Sequence, residues 1–294
     1  MTRATATSIG FIAVLLWALL AVFTAGSAPV PPFLLNALSF TVGGTVGLIW
    51  LLVRRRFSVL RLISWRVYAF GTMGLFGYHA LYFSALRLAP PAEAGLIAYL
   101  WPLFIVLFSG LLPGENLRPG HIAGALVSFV GAAIIVLRNG ATFDAAATPG
   151  LILAGLCALT WSTYSVVSRR LGTTPTEAVA VFCLLTAGLS VPAHLFFETT
   201  IWPTNAFGWV SVVALGLGPV GLAFYVWDIG VKRGDIQLLG VASYAAPLLS
   251  TLVLIGAGFA QASWQLLAAA ALITLGAAIA AFASRGSSAR IRTE

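Results

Sequence analysis

Val130-Gly131-Ala132-Ala133-Ile134 and Leu275-Gly276-Ala277-Ala278-Ile279 stand 145 residues apart. At the same offset Tyr99-Leu100-Trp101-Pro102 falls on Tyr244-Ala245-Ala246-Pro247, and at 144 Leu16-Trp17-Ala18 falls on Thr160-Trp161-Ser162. A period of this length makes the chain a duplication, residues 1–145 followed by residues 146–294. Each half holds five apolar spans. An odd number of crossings turns the second copy upside down, so the expected fold is an all-α integral membrane protein. Its ten transmembrane helices form two inverted five-helix repeats. Inverted repeats are characteristic of carriers that alternate access around a central site.

Composition agrees. Hydrophobic residues make up 60% of the 294 positions and charged residues 8%, with mean hydropathy +1.00. A soluble domain carries about 25% charge. The net charge of +8 suggests no nucleic-acid partner, because the basic residues sit in short loops between apolar spans and form no basic face; the partner they imply is the lipid bilayer. Cys157 and Cys183 each lie inside an apolar run and read as buried thiols.

Gaps between charges locate the spans, each needing about 20 apolar residues. They fall near 7–27, 33–53, Arg66 to Arg87, Glu93 to Glu115, Arg118 to Arg138, 150–168, 178–197 and 207–230, then two between Asp235 and Arg285 separated at Gly256 to Ser263. The first span resembles a cleaved signal peptide, but its removal deletes Trp17, the repeat partner of Trp161, so it is expected to remain. With the N-terminus inside, all sixteen Lys and Arg except Arg87 and Arg138 fall on the cytoplasmic side. Both termini are therefore expected in the cytoplasm.

Chemistry concentrates in aromatic positions. In span three Tyr78 and Tyr82 share a face at i, i+4 around His79. Two buried tyrosine hydroxyls suit a polar, hydrated cavity, and an interfacial aromatic belt is the competing account because Arg87 lies close by. His79 is either functional or hydrogen-bonded to a neighbouring helix. Pro102 and Pro247, at equivalent positions in spans four and nine, remove backbone donors and act as kinks, either lining a site or shaping the bundle. Tyr99, Trp101 and Tyr244 accompany them. Trp17 and Trp161 sit near mid-bilayer, away from the interfacial belt, and Tyr164 follows Trp161 at i+3. Span eight carries Phe224-Tyr225-Val226-Trp227-Asp228, in which Tyr225 is a candidate contact and Asp228 either pairs with Lys232 at i+4 or meets a substrate ammonium or takes a proton. Gly71, Gly74 and Gly77 stand opposite Gly216, Gly218 and Gly221, either as packing surfaces or as room for a cavity.

Glycine-rich nucleotide loops, HExxH and CxxC patterns are absent, so the sequence offers no ATP motor, no metal site, no cofactor and no enzyme signature. An intramembrane enzyme would need a converging acid, base or nucleophile set, and His79, His121, His194, Glu93 and Asp228 are scattered. A channel would have no use for an inverted repeat around aromatic kinks.

The two repeats, the paired proline motifs and the glycine-rich third and eighth spans resemble the EamA-type carriers of the drug/metabolite transporter superfamily, over nearly the whole chain. Within it, Trp17, the Tyr78/Tyr82 helix and Tyr99-Leu100-Trp101-Pro102 are similar to the YddG-type exporters of aromatic amino acids. The resemblance implies a basket-like exporter in a bacterial inner membrane, functional as a monomer, with an amino acid as its small-molecule substrate. Trp17, Tyr78, His79, Tyr82, Tyr99, Trp101, Trp161, Tyr164, Tyr225 and Tyr244 are the expected substrate contacts. Other small metabolites or amphipathic drugs are the alternative cargo. Few intramembrane charges are available for proton coupling, which favours facilitated efflux.

Overall fold

Ten helices occupy the ten intervals read from the sequence in the computed structural model, which describes residues 1–137, 140, 144–258 and 261–290. They are α1 (Arg3–Gly26), α2 (Pro32–Val53), α3 (Trp65–Leu88), α4 (Pro91–Ser109), α5 (Pro119–Val136), α6 (Ala145–Arg170), α7 (Ala178–Phe197), α8 (Ala206–Arg233), α9 (Ile236–Gly256) and α10 (Trp264–Ser284). No strand occurs among the described residues. Arg138 and Arg292, both used in the charge reading, lie outside them.

Local sequence sets the helix starts. Proline opens α2, α4 and α5 at Pro32, Pro91 and Pro119, where a missing N–H costs nothing. The Thr2, Ser64, Asn205 and Asp235 side chains accept from first-turn amides of α1, α3, α8 and α9.

Nine of these helices are long and apolar enough to cross a membrane, and α3 falls short on apolarity alone. Its 24 residues reach ~36 Å, beyond a ~30 Å hydrocarbon core. What lowers its hydropathy is its content: Tyr68, Tyr78, His79 and Tyr82 between Arg66 and Arg87.

Packing follows the repeat. The most extensively packed pairs are α5 with α10, α2 with α7, α3 with α6 and α1 with α8. Under the duplication α5 becomes α10 and α2 becomes α7, while the α3/α6 pair exchanges with α8/α1. A pseudo-twofold axis maps this set of pairs onto itself. At the α5/α10 crossing the Ser128 hydroxyl donates to the Ile273 carbonyl at 3.3 Å, and these two residues are repeat equivalents. On either side, Gly124 abuts Gly276 and Gly131 abuts Ala269, again an exchange of equivalents. Residue i meets j, and the copy of j meets the copy of i, as in a twofold interface. Small residues bring the backbones together where no hydrophobic force separates helix from lipid.

Four helices are not regular. α1 breaks at Ala18–Leu19, α4 at Tyr99–Leu100 and α9 at Ser243–Tyr244. Pro102 and Pro247 stand in the first turn of the second halves of α4 and α9, so the expected kinks are full interruptions. α8 contains a π-turn over Gly218–Leu222, a geometry frequent at functional sites. It folds so tightly that a side chain on Gly221 would collide with the Gly216 carbonyl, and it lets Gly43 of α2 approach Gly221 directly. The glycines of α3 serve packing: the Phe182 ring lies on Gly71 and the Tyr164 ring on Gly74. Gly77 meets only Thr160, in ordinary contact at 3.6 Å.

Candidate functional site

Two of the helix breaks bring tryptophans to one point. Trp17 ends the first half of α1 and Trp101 begins the second half of α4, and both meet Trp161 of α6 and Trp227 of α8. All six pairs among these four indoles are in ring contact. Trp17 lies 5.0 Å from Trp227, 5.9 Å from Trp101 and 6.0 Å from Trp161; Trp101 lies 5.9 Å from Trp227 and 6.3 Å from Trp161; Trp161 and Trp227 stack at 6.3 Å. Three of the Trp101 and Trp17 contacts are edge-to-face near a right angle, the arrangement the ring quadrupole favours at about 0.5–1.5 kcal/mol per pair. Trp227 is wholly buried, and its Nε1–H donates to the Ser165 hydroxyl at 3.1 Å, which fixes that ring about its own axis. The α1, α4, α6 and α8 helices therefore converge on an aromatic hub drawn from both repeats.

From the hub the rings continue outward. Tyr78 packs on Trp161 at 5.4 Å and stacks on Tyr82 at 6.2 Å. His79 points its ring edge-on to Phe40 at 5.1 Å, and Phe40 stacks on Phe224, which returns to Trp161 at 5.6 Å. The His79 Nδ1 lies 2.8 Å from the Leu75 carbonyl one turn back on its own helix, so its bond is local and not to a neighbour. Tyr99 closes the first half of α4 and packs, half-buried, against the buried cluster that holds Val106 and Tyr244. Tyr78, His79, Tyr82 and Tyr99 are all half-buried, the first three within α3 and Tyr99 at the break of α4.

The remaining sequence candidates sit elsewhere. Tyr164 stacks behind Trp161 at 5.2 Å and is buried against Phe70. Tyr225 turns away from the hub and donates its hydroxyl to the Gly43 carbonyl of α2 at 3.1 Å. Tyr244 is fully buried, and its hydroxyl accepts from the Leu103 amide at 3.1 Å. That amide is one that the Pro102 interruption releases from its own helix. Trp227, Phe224 and Phe40 were not singled out in the sequence. Phe224 and Trp227 share a face at i, i+3, a signal present in the aromatic run of span eight but unreadable without the rotation of α8.

Charges are held at the two ends of the bundle, clear of the hub. At the end where α1 begins, Glu115 after α4 pairs with Arg3 at 3.1 Å and with Arg169 of α6. Arg169 also donates to the carbonyls of Val231 and Gly234 at 2.8 and 2.9 Å. The Gln237 amide of α9 donates to Glu115 and Asp235, and accepts from Ser109. Beside them Asp228 pairs with Lys232 at 2.8 Å and accepts from Thr176 at 2.7 Å, so the expected i, i+4 pair forms. At the opposite end Glu198 accepts from the Phe33 and Leu34 amides at the start of α2, from Arg87 at 3.1 Å and meets His194 at 2.9 Å. No group of three or more His, Cys, Asp and Glu capable of holding a metal occurs among the described residues.

Comparison with known proteins follows this architecture. A model of the EamA-like transporter family matches twice, over residues 5–137 and 148–282. The aromatic amino acid exporter YddG of Ancylobacter novellus is 57% identical over 97% of this chain and all of its own length. The exporter of the same name from Salmonella typhimurium is 27% identical over 97% of this chain and 99% of its own. The biotin transporter of Escherichia coli is 26% identical over 79% and 72%. A solved crystal structure with 57% identity superimposes with a TM-score of 0.93, covering 97% of this chain and 99% of that one. With both halves matched and the full length of a relative covered, this chain belongs to the EamA-like transporter family.

Proposed function

We propose that this transporter exports aromatic amino acids across a bacterial inner membrane by alternating access. Its substrate enters a central cavity lined by Trp17, Tyr78, His79, Tyr82, Tyr99, Trp101 and Trp161. Tyr164 backs that wall, whereas Tyr225 and Tyr244 hold helices together. The observation that carries the reading is the four-indole hub beside half-buried Tyr78, His79, Tyr82 and Tyr99. Partial accessibility deep inside a bundle suits an internal cavity, and stacked rings suit an aromatic side chain. The relative of Ancylobacter novellus, 57% identical and named as such an exporter, supports it.

The zwitterion needs polar partners as well. Pro102 cannot donate to the Ala98 carbonyl, and the Leu103 amide, which would serve the Tyr99 carbonyl, is taken by Tyr244. These two acceptors receive the substrate ammonium. The two halves, residues 1–145 and 146–294, move against each other about the pseudo-twofold axis within one protomer, and both termini face the cytoplasm as the arginine distribution directs. No carboxylate lies within the aromatic hub, which favours facilitated transport over strict proton exchange.

The test is uptake of labelled phenylalanine and tryptophan by proteoliposomes, competed by unlabelled amino acids, biotin and a panel of drugs, with and without a pH gradient. Saturable flux competed by aromatic amino acids and independent of the gradient is expected. Flux of biotin or drugs with none of amino acids overturns the substrate and leaves the family.

A further inference from the structure

The two interrupted helices are equivalent in sequence but not in contact. The first half of α9, Ile236–Ala242, packs against the second half of α4, Trp101–Ser109. Under the pseudo-twofold axis this contact maps onto the first half of α4, Pro91–Ala98, against the second half of α9, Ala245–Gly256. Those two segments make no comparable contact. One end of the molecule is thus closed through the middle and its mirror end is parted.

One hydrogen bond rides on the closed contact: the Tyr244 hydroxyl accepts from the Leu103 amide. Its repeat equivalents are Tyr99 and Leu248. Both tyrosines lie at the break of their helix, and both leucines follow the proline that makes the break. Yet Tyr244 is fully buried, while Tyr99 is half-buried and its hydroxyl has no hydrogen-bond partner among the described residues. The asymmetry in burial and bonding matches the asymmetry in packing.

We infer that Tyr244 and Tyr99 are reciprocal latches that alternate as the carrier changes the side to which it opens. In the state described here Tyr244 holds Leu103 and the α4/α9 contact at the Arg3–Glu115 end. In the opposite state Tyr99 caps the Leu248 amide, the Pro91–Ala98 and Ala245–Gly256 segments close together, and Tyr244 releases Leu103. A proline break suits this role, because it supplies an amide whose helical acceptor is already lost and which can therefore take a tyrosine oxygen in one state without dismantling a helix. The inference rests on the alternating-access reading above and assigns these two residues to conformational exchange.

The experiment uses the full-length protein in nanodiscs without substrate, on a background with Cys157 and Cys183 replaced by alanine. Two spin-label pairs are read by pulsed electron resonance: Ala92→Cys with Ala257→Cys across the parted end, and Leu111→Cys with Arg233→Cys across the closed end. Tyr244→Phe keeps the ring and removes only the acceptor, so the fold is retained. It is expected to move the ratio of the two distance populations about fivefold toward closure at Ala92/Ala257, the loss of one hydrogen bond. Tyr99→Phe is expected to move it about fivefold the other way, and the double variant to return near the starting ratio. Shifts in the same direction, or none, overturn the latch while leaving the carrier intact. A parent protein with a single population at both pairs, with and without phenylalanine, overturns the carrier reading and the latch together.

Discussion

The two ends of the bundle are both fastened by charge, but they are fastened in different places. At the end where α1 begins, Arg3, Glu115, Arg169, Asp235 and Gln237 join α1, α4, α6, α8 and α9. These helices come from both repeats, and four of them, α1, α4, α6 and α8, converge on the aromatic hub. At the other end Glu198 joins α2, α3 and α7 among the described residues, of which α2 and α7 form one closely packed pair. The first network ties the molecule across its centre, and the second braces its perimeter. An ion cluster can therefore act as a gate or as a girder depending on which helices it spans, and its bond lengths do not tell the two apart.

Removing the central tie has the largest expected effect. Glu115→Gln leaves the mostly buried Arg169 guanidinium without its carboxylate, and breaking a buried pair costs about 3–5 kcal/mol. A marked fall in the thermal unfolding midpoint in detergent, together with increased labelling of the buried Leu112→Cys by a membrane-impermeant thiol reagent, is the expected result. Glu198→Gln keeps an oxygen for the Phe33 and Leu34 amides and loses the charge facing Arg87 and His194. It should cost about 1–3 kcal/mol and leave labelling at Leu112→Cys unchanged. Equal effects from the two substitutions would erase the distinction between tie and brace.

Between the ends, Ser165→Ala strands the Trp227 indole N–H in a buried site. A loss of about 1–3 kcal/mol is expected, insensitive to salt, with reduced transport of aromatic substrates as the hub loses a fixed ring. Salt dependence here would mean that the hub leans on the end networks. Arg3→Ala is the smallest change. The Arg3 side chain is 51% exposed, and pairs of this kind contribute about 0.2–1 kcal/mol, an increment that should vanish in molar salt as screening shortens to about 3 Å. A larger or salt-resistant effect would place Arg3 inside the tie instead of on its rim.

Much of this was legible in the chain. The 145-residue period, the arginine intervals and the paired prolines gave the ten helices and their inversion, because hydrophobic length and repeat offset survive without tertiary knowledge. The equivalence of Trp17 and Trp161 put both near mid-bilayer, without showing that they touch. What the sequence hid was rotation. The π-turn at Gly218–Leu222 inserts extra residues per turn into α8, so counting from the N-terminal end of the helix misplaces the face that carries Phe224 and Trp227. Tyr225 was taken with them and points instead to α2. The α1 break at Ala18–Leu19 has no proline and no local signal at all. Tyr244 looked like a ligand contact because a mid-membrane tyrosine needs a partner; the partner turned out to be a backbone amide on another helix, and only the fold could supply it.

The low apolarity of α3 also bears on how the chain is made. A helix enters the bilayer from the translocon according to the summed transfer free energies of its residues, in which each charged residue at the centre opposes insertion by about 2.5–3.5 kcal/mol and polar aromatics gain little. Its neighbours α2 and α4 are apolar enough to cross by composition, and α3, which carries Tyr78, His79 and Tyr82, is less apolar than either. Its insertion then draws on α2, already in the membrane before it, on pairing with α4 once that helix follows, and on Arg54, Arg55, Arg56, Arg61 and Arg66 holding the preceding loop in place. Substitutions that make α3 more polar should be read first in biogenesis, as lost protein in the membrane, before any are read as lost transport.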